Sequence, residues 1–116
     1  MSKTYVIFLS YPMAGKELSA LEATRERLTT LAKHYFQYMK QYSNALDDYD
    51  DVEIIDNLYA VGDSCLELIG QAVLKMAKAN AIFFANGSQN AKGCQVEYEI
   101  AKRYGIDIID HWECWK

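Results

Sequence analysis

The chain has 116 residues, of which 51% are hydrophobic, 24% charged and 13% aromatic, with one proline. This composition suits one globular domain with its own core and excludes a disordered, collagen-like or repeat protein. Sixteen acidic against twelve basic residues, a net charge of −4, argue against a general nucleic-acid binder, while a pocket for a single phosphate, built from backbone amides, is still allowed.

Tyr5-Val6-Ile7-Phe8-Leu9 is a continuous, β-rich apolar run, the pattern of a strand covered on both faces. It is too short for a signal-peptide core, and no stretch reaches the roughly 18 apolar residues of a membrane span, so a soluble protein without a membrane partner is expected. The turn Ser10-Tyr11-Pro12-Met13-Ala14-Gly15-Lys16 carries the only proline. A helical pattern over residues 17–44 follows, with Leu21, Leu28, Leu31, Ala32, Tyr35, Met39 and Tyr42 on one stripe and Glu22, Arg25, Glu26, Lys33 and Lys40 on other faces. Asp47-Asp48-Tyr49-Asp50-Asp51 lacks the glycine and glutamate of a calcium loop and reads as a solvated turn.

Val52-Glu53-Ile54-Ile55-Asp56 is a second strand. A loop through Gly62 leads to an N-cap at Asp63 or Ser64, with Glu67 in capping-box position, and a helix then runs to Ala79 along Leu66, Ile69, Val73 and Met76. Ala81-Ile82-Phe83-Phe84-Ala85 is a third buried strand, feeding the polar loop from Asn86 to Gly93. A helix over 93–104 turns Val96, Ile100 and Ala101 inward and ends at Gly105. Ile106-Asp107-Ile108-Ile109 is a fourth strand, and residues 110–116 form a tail.

Three cysteines, Cys65, Cys94 and Cys114, are an odd number at long spacings, and His34 and His111 lack metal-ligand spacing. Neither a disulfide framework nor a metal centre is expected, and a reducing cytoplasm is the natural setting. The alternation β-α-β-α-β-α-β predicts an α/β fold: a three-layer, doubly wound, mainly parallel sheet of four or five strands with right-handed crossovers. Ligands of such sheets sit beyond the carboxyl ends of the strands. The turns after strands one, two and three should therefore share one crevice.

Three groups of that crevice carry chemistry. Ser10, Lys16 and the amides of the first turn could hold a phosphate or sugar oxygen, or form an ordinary βα turn. The turn has neither G-x-x-x-x-G-K-[ST] nor G-x-G-x-x-G, so neither triphosphate hydrolysis nor a dinucleotide cofactor is indicated, and no cofactor is expected. Glu97 shares a helix face with Gly93, Ile100 and Ala101, which places a carboxylate on the inner side of the helix near the crevice; Glu99 points elsewhere. Asp56, at the end of strand two, could bond a ribose hydroxyl, act as an acid or cap the following turn. Cys94 has no histidine beside it in sequence, and nucleophilic use is not expected. Tyr11, Tyr59 and Tyr98 are candidates for stacking on a planar base.

Residues 7–16, Ile-Phe-Leu-Ser-Tyr-Pro-Met-Ala-Gly-Lys, resemble the I-S-x-P-M-x-G-K opening of small proteins related to the nucleoside 2-deoxyribosyltransferases. Arg25-Glu26-Arg27 falls where those proteins often carry R-E-R. Residues 90–101, Asn-Ala-Lys-Gly-Cys-Gln-Val-Glu-Tyr-Glu-Ile-Ala, with Tyr104-Gly105-Ile106, are similar to their N-[AS]-[RK]-G-C-x-[IV]-E-x-x-I-A-x-x-[YL]-G-I segment. The resemblance spans nearly the whole chain. It implies a flavodoxin-like fold acting on the N-glycosidic bond of a (deoxy)nucleoside or its 5′-monophosphate, with Glu97 as the nucleophile and Asp56 as a second catalytic group.

By the same resemblance the substrate is held by Ser10, Tyr11, Pro12, Met13, Gly15 and Lys16 of the first loop and by Asn86, Gly87, Ser88, Asn90 and Gly93 of the third. A homodimer or larger homo-oligomer is also implied, with the Trp112–Trp115 tail as a candidate contact. Three positions depart from the family pattern: Ala72 and Asn80 stand where relatives carry aspartates, and Ala91 where they carry a serine that Ser88 could replace. A non-catalytic protein that captures a nucleotide or nucleotide signal in the same crevice is the alternative expectation.

Overall fold

The computed structural model describes residues 3–110 and Trp112. The elements in chain order are β1 (Thr4–Ser10), α1 (Leu18–Tyr42), β2 (Asp51–Ile55), α2 (Cys65–Met76), β3 (Ala81–Phe84), a 3-10 turn (Ser88–Asn90), α3 (Lys92–Tyr104) and β4 (Asp107–Ile109). The four strands form one all-parallel sheet in the order β2-β1-β3-β4. The chain moves outward from β1 to β2, crosses back over β1 to β3, and then moves outward the other way to β4. That reversal is the topological switch point, and it lies between β1 and β3.

Right-handed connections then demand α1 on one face of the sheet and α2 with α3 on the other. The core divides accordingly. Tyr5, Ile7 and Leu9 pack with Leu21, Leu28, Ala32 and Phe36 of α1, while Phe8, Ile82 and Phe84 pack with Ala72 and Met76 of α2 and Ala101 of α3. Successive β1 residues face opposite layers, and both layers are apolar, which is why the strand reads as an unbroken hydrophobic run. The fold is the expected α/β, flavodoxin-like three-layer arrangement, with four strands.

Local signals hold at most of the ends. Ser64 caps α2, its hydroxyl accepting from the Glu67 amide at 3.1 Å, and the Glu67 carboxylate reaches back to the Asp63 amide at 3.2 Å. Gly105 closes α3 in the left-handed region, φ 71°. The α-helical part of α2 ends at Met76, and tighter bonds from Lys78 to Lys75 and from Ala79 to Met76 complete the stretch expected to be helical.

The inward stripe of α2 needs correction. Ala72 and Met76 are buried, but Leu66 is 77% exposed. Six residues separate Leu66 from Ala72, which places it about 120° around the helix from the buried line. Met76 of the expected stripe is buried and Ile69 and Val73 are half-buried, so only its first member, Leu66, falls outside the face that the sheet covers. Tyr104, in the last turn of α3, is likewise exposed.

Trp112 packs edge-on against Tyr35 and tilted against Tyr38, ring centroids 5.3 Å apart in each case, so this part of the tail lies on α1 of its own chain. His111 and residues 113–116, the remainder of the candidate tail contact, lie outside the described residues. Among the described residues no helix is long and apolar enough to cross a membrane.

Asn80 has a structural task. Its side-chain oxygen accepts from the Val6 amide at 2.8 Å, its own amide donates to the Val6 carbonyl at 2.8 Å, and its carbonyl accepts from the Asp107 amide at 3.2 Å. It thus ties β1, β3 and β4 together at their amino ends, opposite the crevice. Asn80→Ala leaves the Val6 amide without its side-chain acceptor, and urea unfolding should show a loss of about 1–3 kcal/mol. An unchanged midpoint would remove this role.

Candidate functional site at the carboxyl ends of β1 and β3

Strand parity builds the centre of the site. Phe8 faces the α2–α3 layer, so Ser10, two residues on, faces it too. Glu97 and Ala101, four apart, share the inner face of α3. The two periods meet where β1 ends: Ser10 Oγ donates a 2.6 Å hydrogen bond to Glu97 Oε1. Ser10 is 1% exposed and Glu97 9%. Burial disfavours the ionised carboxylate and pushes the Glu97 pKa up to about 7, while the Ser10 hydrogen bond pulls in the other direction.

Cys94 lies one turn earlier on the same face of α3 and is buried. Burial raises its thiol pKa, and the Glu97 charge adds to this, while the Ser10 and Ser88 hydroxyls and the Lys16 charge act against it. A thiol so placed stays protonated and is a poor nucleophile. Lys16 is the cation whose field reaches this cluster.

The third loop is held by its own hydrogen bonds. Gly87 adopts φ 87°, a conformation that L side chains rarely take, and a Cβ there would lie 4.0 Å from Pro12 of the first loop. Ser88 is buried and its hydroxyl donates to the Ala85 carbonyl at 2.6 Å, so its hydrogen is committed to shaping the turn. The Ala85 amide donates to the Ser10 carbonyl at 3.0 Å. Asn86 and Asn90 are exposed on the rim, and Gly93 sits in the first turn of α3, whose N-cap, Ala91, offers no side-chain acceptor.

The first loop is tied to the second. Tyr11 Oη donates to Asp56 Oδ2 at 2.7 Å, and Arg25 Nε of α1 lies 3.1 Å from the same oxygen. The other Asp56 oxygen accepts from the Leu58 amide at 3.3 Å. Burial and the neighbouring carboxylate push the Tyr11 hydroxyl far above its ordinary range. Beyond this pair, the Arg25 guanidinium lies 5.4 Å from the centre of the Tyr59 ring, whose hydroxyl donates to Glu22. Met13 packs on the core, whereas Gly15 and Lys16 are exposed, Gly15 with φ 75°.

Two groups therefore form within the predicted set. Ser10, Ser88 and Glu97, with Cys94, make a buried cluster at the switch point. Tyr11 and Asp56, with Arg25, make a second cluster on the β2 side. No hydrogen bond links the Asp56 and Glu97 carboxylates. Cys94, discounted from sequence, belongs to the first cluster by helix spacing, since it stands three residues before Glu97. Arg25 was set aside as a residue of an outer helix face, and only the return of β2 beside β1 brings it to Asp56.

Two open hollows flank these clusters. One of about 610 Å³ lies on the β3–α3 side, lined by Phe84, Asn86, Ser88, Cys94, Gln95 and Tyr98 among others. Phe84 and Tyr98 meet in it edge to face, ring centroids 5.3 Å apart. The other, about 520 Å³, runs between α1 and β2 past Arg25, Val52 and Tyr59. Ser88 and Cys94 line the first hollow, while Ser10 and Glu97 line neither.

Compared with protein-family models, with curated proteins and with solved structures, the chain matches none.

The titration of Glu97 is linked to folding. The folded chain holds this proton up to about pH 7, against an ordinary value of 4.5, so between those values the folded state binds more protons than the unfolded one. Stability is fully present below pH 4.5 and declines as pH rises to about 7, by about 3 kcal/mol in total. Glu97→Gln should remove that slope in urea titrations run from pH 4.5 to 8. Ser10→Ala should raise the Glu97 pKa further, read by carbon NMR of the side-chain carboxyl; a lower value would contradict the geometry.

Proposed function

We propose that the protein cleaves or exchanges the base of a (deoxy)nucleoside or its 5′-monophosphate, with Glu97 as the nucleophile. The observation that carries this reading is the buried Ser10–Glu97 hydrogen bond at the switch point of a parallel sheet. It supplies one oriented carboxylate beside a turn suited to an anion. Ser10 fixes Oε1, and the ionised carboxylate attacks the anomeric carbon. The C–N bond breaks with its electron pair going to the base, giving a glycosyl ester on Glu97. Water or a second base then attacks the same carbon and gives up a proton, which balances the one the departing base takes up, and the carboxylate leaves with the electron pair of the ester bond.

In this reading Lys16 and the amides of the first turn take the 5′-phosphate or a sugar oxygen, and Tyr11, Pro12, Met13 and Gly15 shape that turn. Asn86, Gly87, Ser88, Asn90 and Gly93 border the sugar from the opposite loop. Asp56 is the second carboxylate, reaching the substrate side through Tyr11. Its setting also favours the alternative: Tyr11, Arg25 and the Leu58 amide occupy its oxygens, and Ala72 lies in the apolar core. A crevice with one carboxylate and no free partner acid suits capture of a nucleotide without turnover.

Chromatographic detection of free base over a panel of deoxynucleosides and 5′-monophosphates separates the two. Catalysis predicts release by the wild type and none above background for Glu97→Ala, with the ligand still shifting the melting temperature of the variant. Capture predicts the shift without release. Neither release nor shift with any member of the panel would defeat both. Where release occurs, kcat/KM should fall roughly tenfold for each pH unit well below about 7, because only the ionised Glu97 attacks. Ser10→Ala should move that limb to higher pH.

A further inference from the structure

The larger hollow, about 610 Å³, is lined by Phe84, the last residue of β3, and by Asp110, which follows β4, so it opens beyond the carboxyl ends of these two strands. Its size falls in the roughly 300–1,000 Å³ range of small-molecule sites. The period of α3 separates it from the Ser10–Glu97 pair. Glu97 and Ala101 are buried against the sheet, whereas Gln95, Tyr98 and Glu99 are exposed on another side of the helix and line the hollow.

The lining has a definite chemistry. Phe84 and Tyr98, edge to face, make one aromatic corner. The Glu99 and Asp110 carboxylates stand at its side as acceptors. Two side-chain donors of the lining are turned to the chain itself: Gln95 Nε2 donates to the Gln89 carbonyl at 2.7 Å, and the Ser88 hydroxyl to the Ala85 carbonyl at 2.6 Å. Arg103 bonds one Glu99 oxygen at 2.8 Å but does not line the hollow. Among the described residues no lysine, arginine or histidine lines it, in contrast to the hollow beside α1, which has Arg25 and Lys33.

We propose that this hollow is a binding site for a planar aromatic cation, a heteroaromatic ring that carries a positive charge and N–H groups. The ring lies against Tyr98, whose π-face attracts the charge, and its N–H groups donate to the carboxylates of Glu99 and Asp110. A phosphate or carboxylate ligand meets like charge there and no cation to offset it, so the same lining turns anions away. The inference is independent of the chemistry proposed for Glu97, which does not line the hollow.

Three quinolines of similar shape test the charge. 4-Aminoquinoline is a cation near neutral pH, 4-methylquinoline is neutral and quinoline-4-carboxylate is an anion. Amide NMR shifts on titration should map to the third loop and α3, with a Kd for the cation below about 1 mM and roughly tenfold weaker binding of the neutral ring. The carboxylate should bind more weakly still. Tyr98→Ala, with an unchanged circular dichroism spectrum, should weaken the cation roughly tenfold, and Glu99→Gln with Asp110→Asn should bring it down to the neutral ring. Gln95→Arg, at an exposed position, should reverse the order of cation and anion. Base release plays no part in these readouts, so this site and the proposed cleavage stand or fall separately. The absence of shifts in these segments up to the solubility limit of the cation would overturn the proposal. So would a carboxylate bound as tightly as the amine, or wild-type affinity in Tyr98→Ala.

Discussion

A carboxyl group 9% exposed, at the end of an apolar parallel sheet, is expensive to ionise, and most of the candidate site follows from how this chain accommodates Glu97. The chain supplies one hydroxyl, that of Ser10, at 2.6 Å and lets burial do the rest. The acid consequently changes charge near neutrality, about pH 7. A more generous set of donors would have left an inert anion, and an exposed position an ordinary glutamate. Intermediate stabilisation leaves a carboxylate that is poorly solvated when ionised, the state the proposed nucleophilic role requires.

The surrounding loops serve that compromise. Gly87 gives the third loop its left-handed turn, Ser88 spends its hydroxyl on that turn, and the Ala85 amide fastens it to Ser10. The Cys94 thiol fills the space beside Glu97 without competing as a nucleophile. On the far side of the sheet Asn80 binds three strands at their amino ends. Its hydrogen bonds join β1, β3 and β4 at the end of the sheet away from the crevice.

Much of this was legible in the residues. Tyr5–Leu9 and Ala81–Phe84 read as covered strands because both of their faces are apolar, and Ser64 with Glu67 and Gly105 mark helix ends by local hydrogen bonding and a left-handed backbone. Glu97 stood out because it interrupts an inner helix face. Less legible were features set by pairing across the sheet. Leu66 reads as inward because α2 is apolar beyond the side that meets the sheet, and periodicity cannot say where the covered face stops. The contacts of Asp56 with Tyr11 and Arg25 join residues far apart in the chain, and no local pattern announces them.

The two clusters rest on unequal footings. Ser10 and Glu97 hang from β1 and α3, with β1 paired on both sides, but Asp56 follows β2, an edge strand in which no residue is fully buried. Edge strands fray at lower free energy than central ones. Local opening of β2 would release Tyr11 from Asp56 and loosen the mouth of the crevice while Glu97 stayed clamped. The architecture thus divides into a stationary anvil and a hinged rim, and access to the carboxylate becomes a property of the sheet's outermost strand.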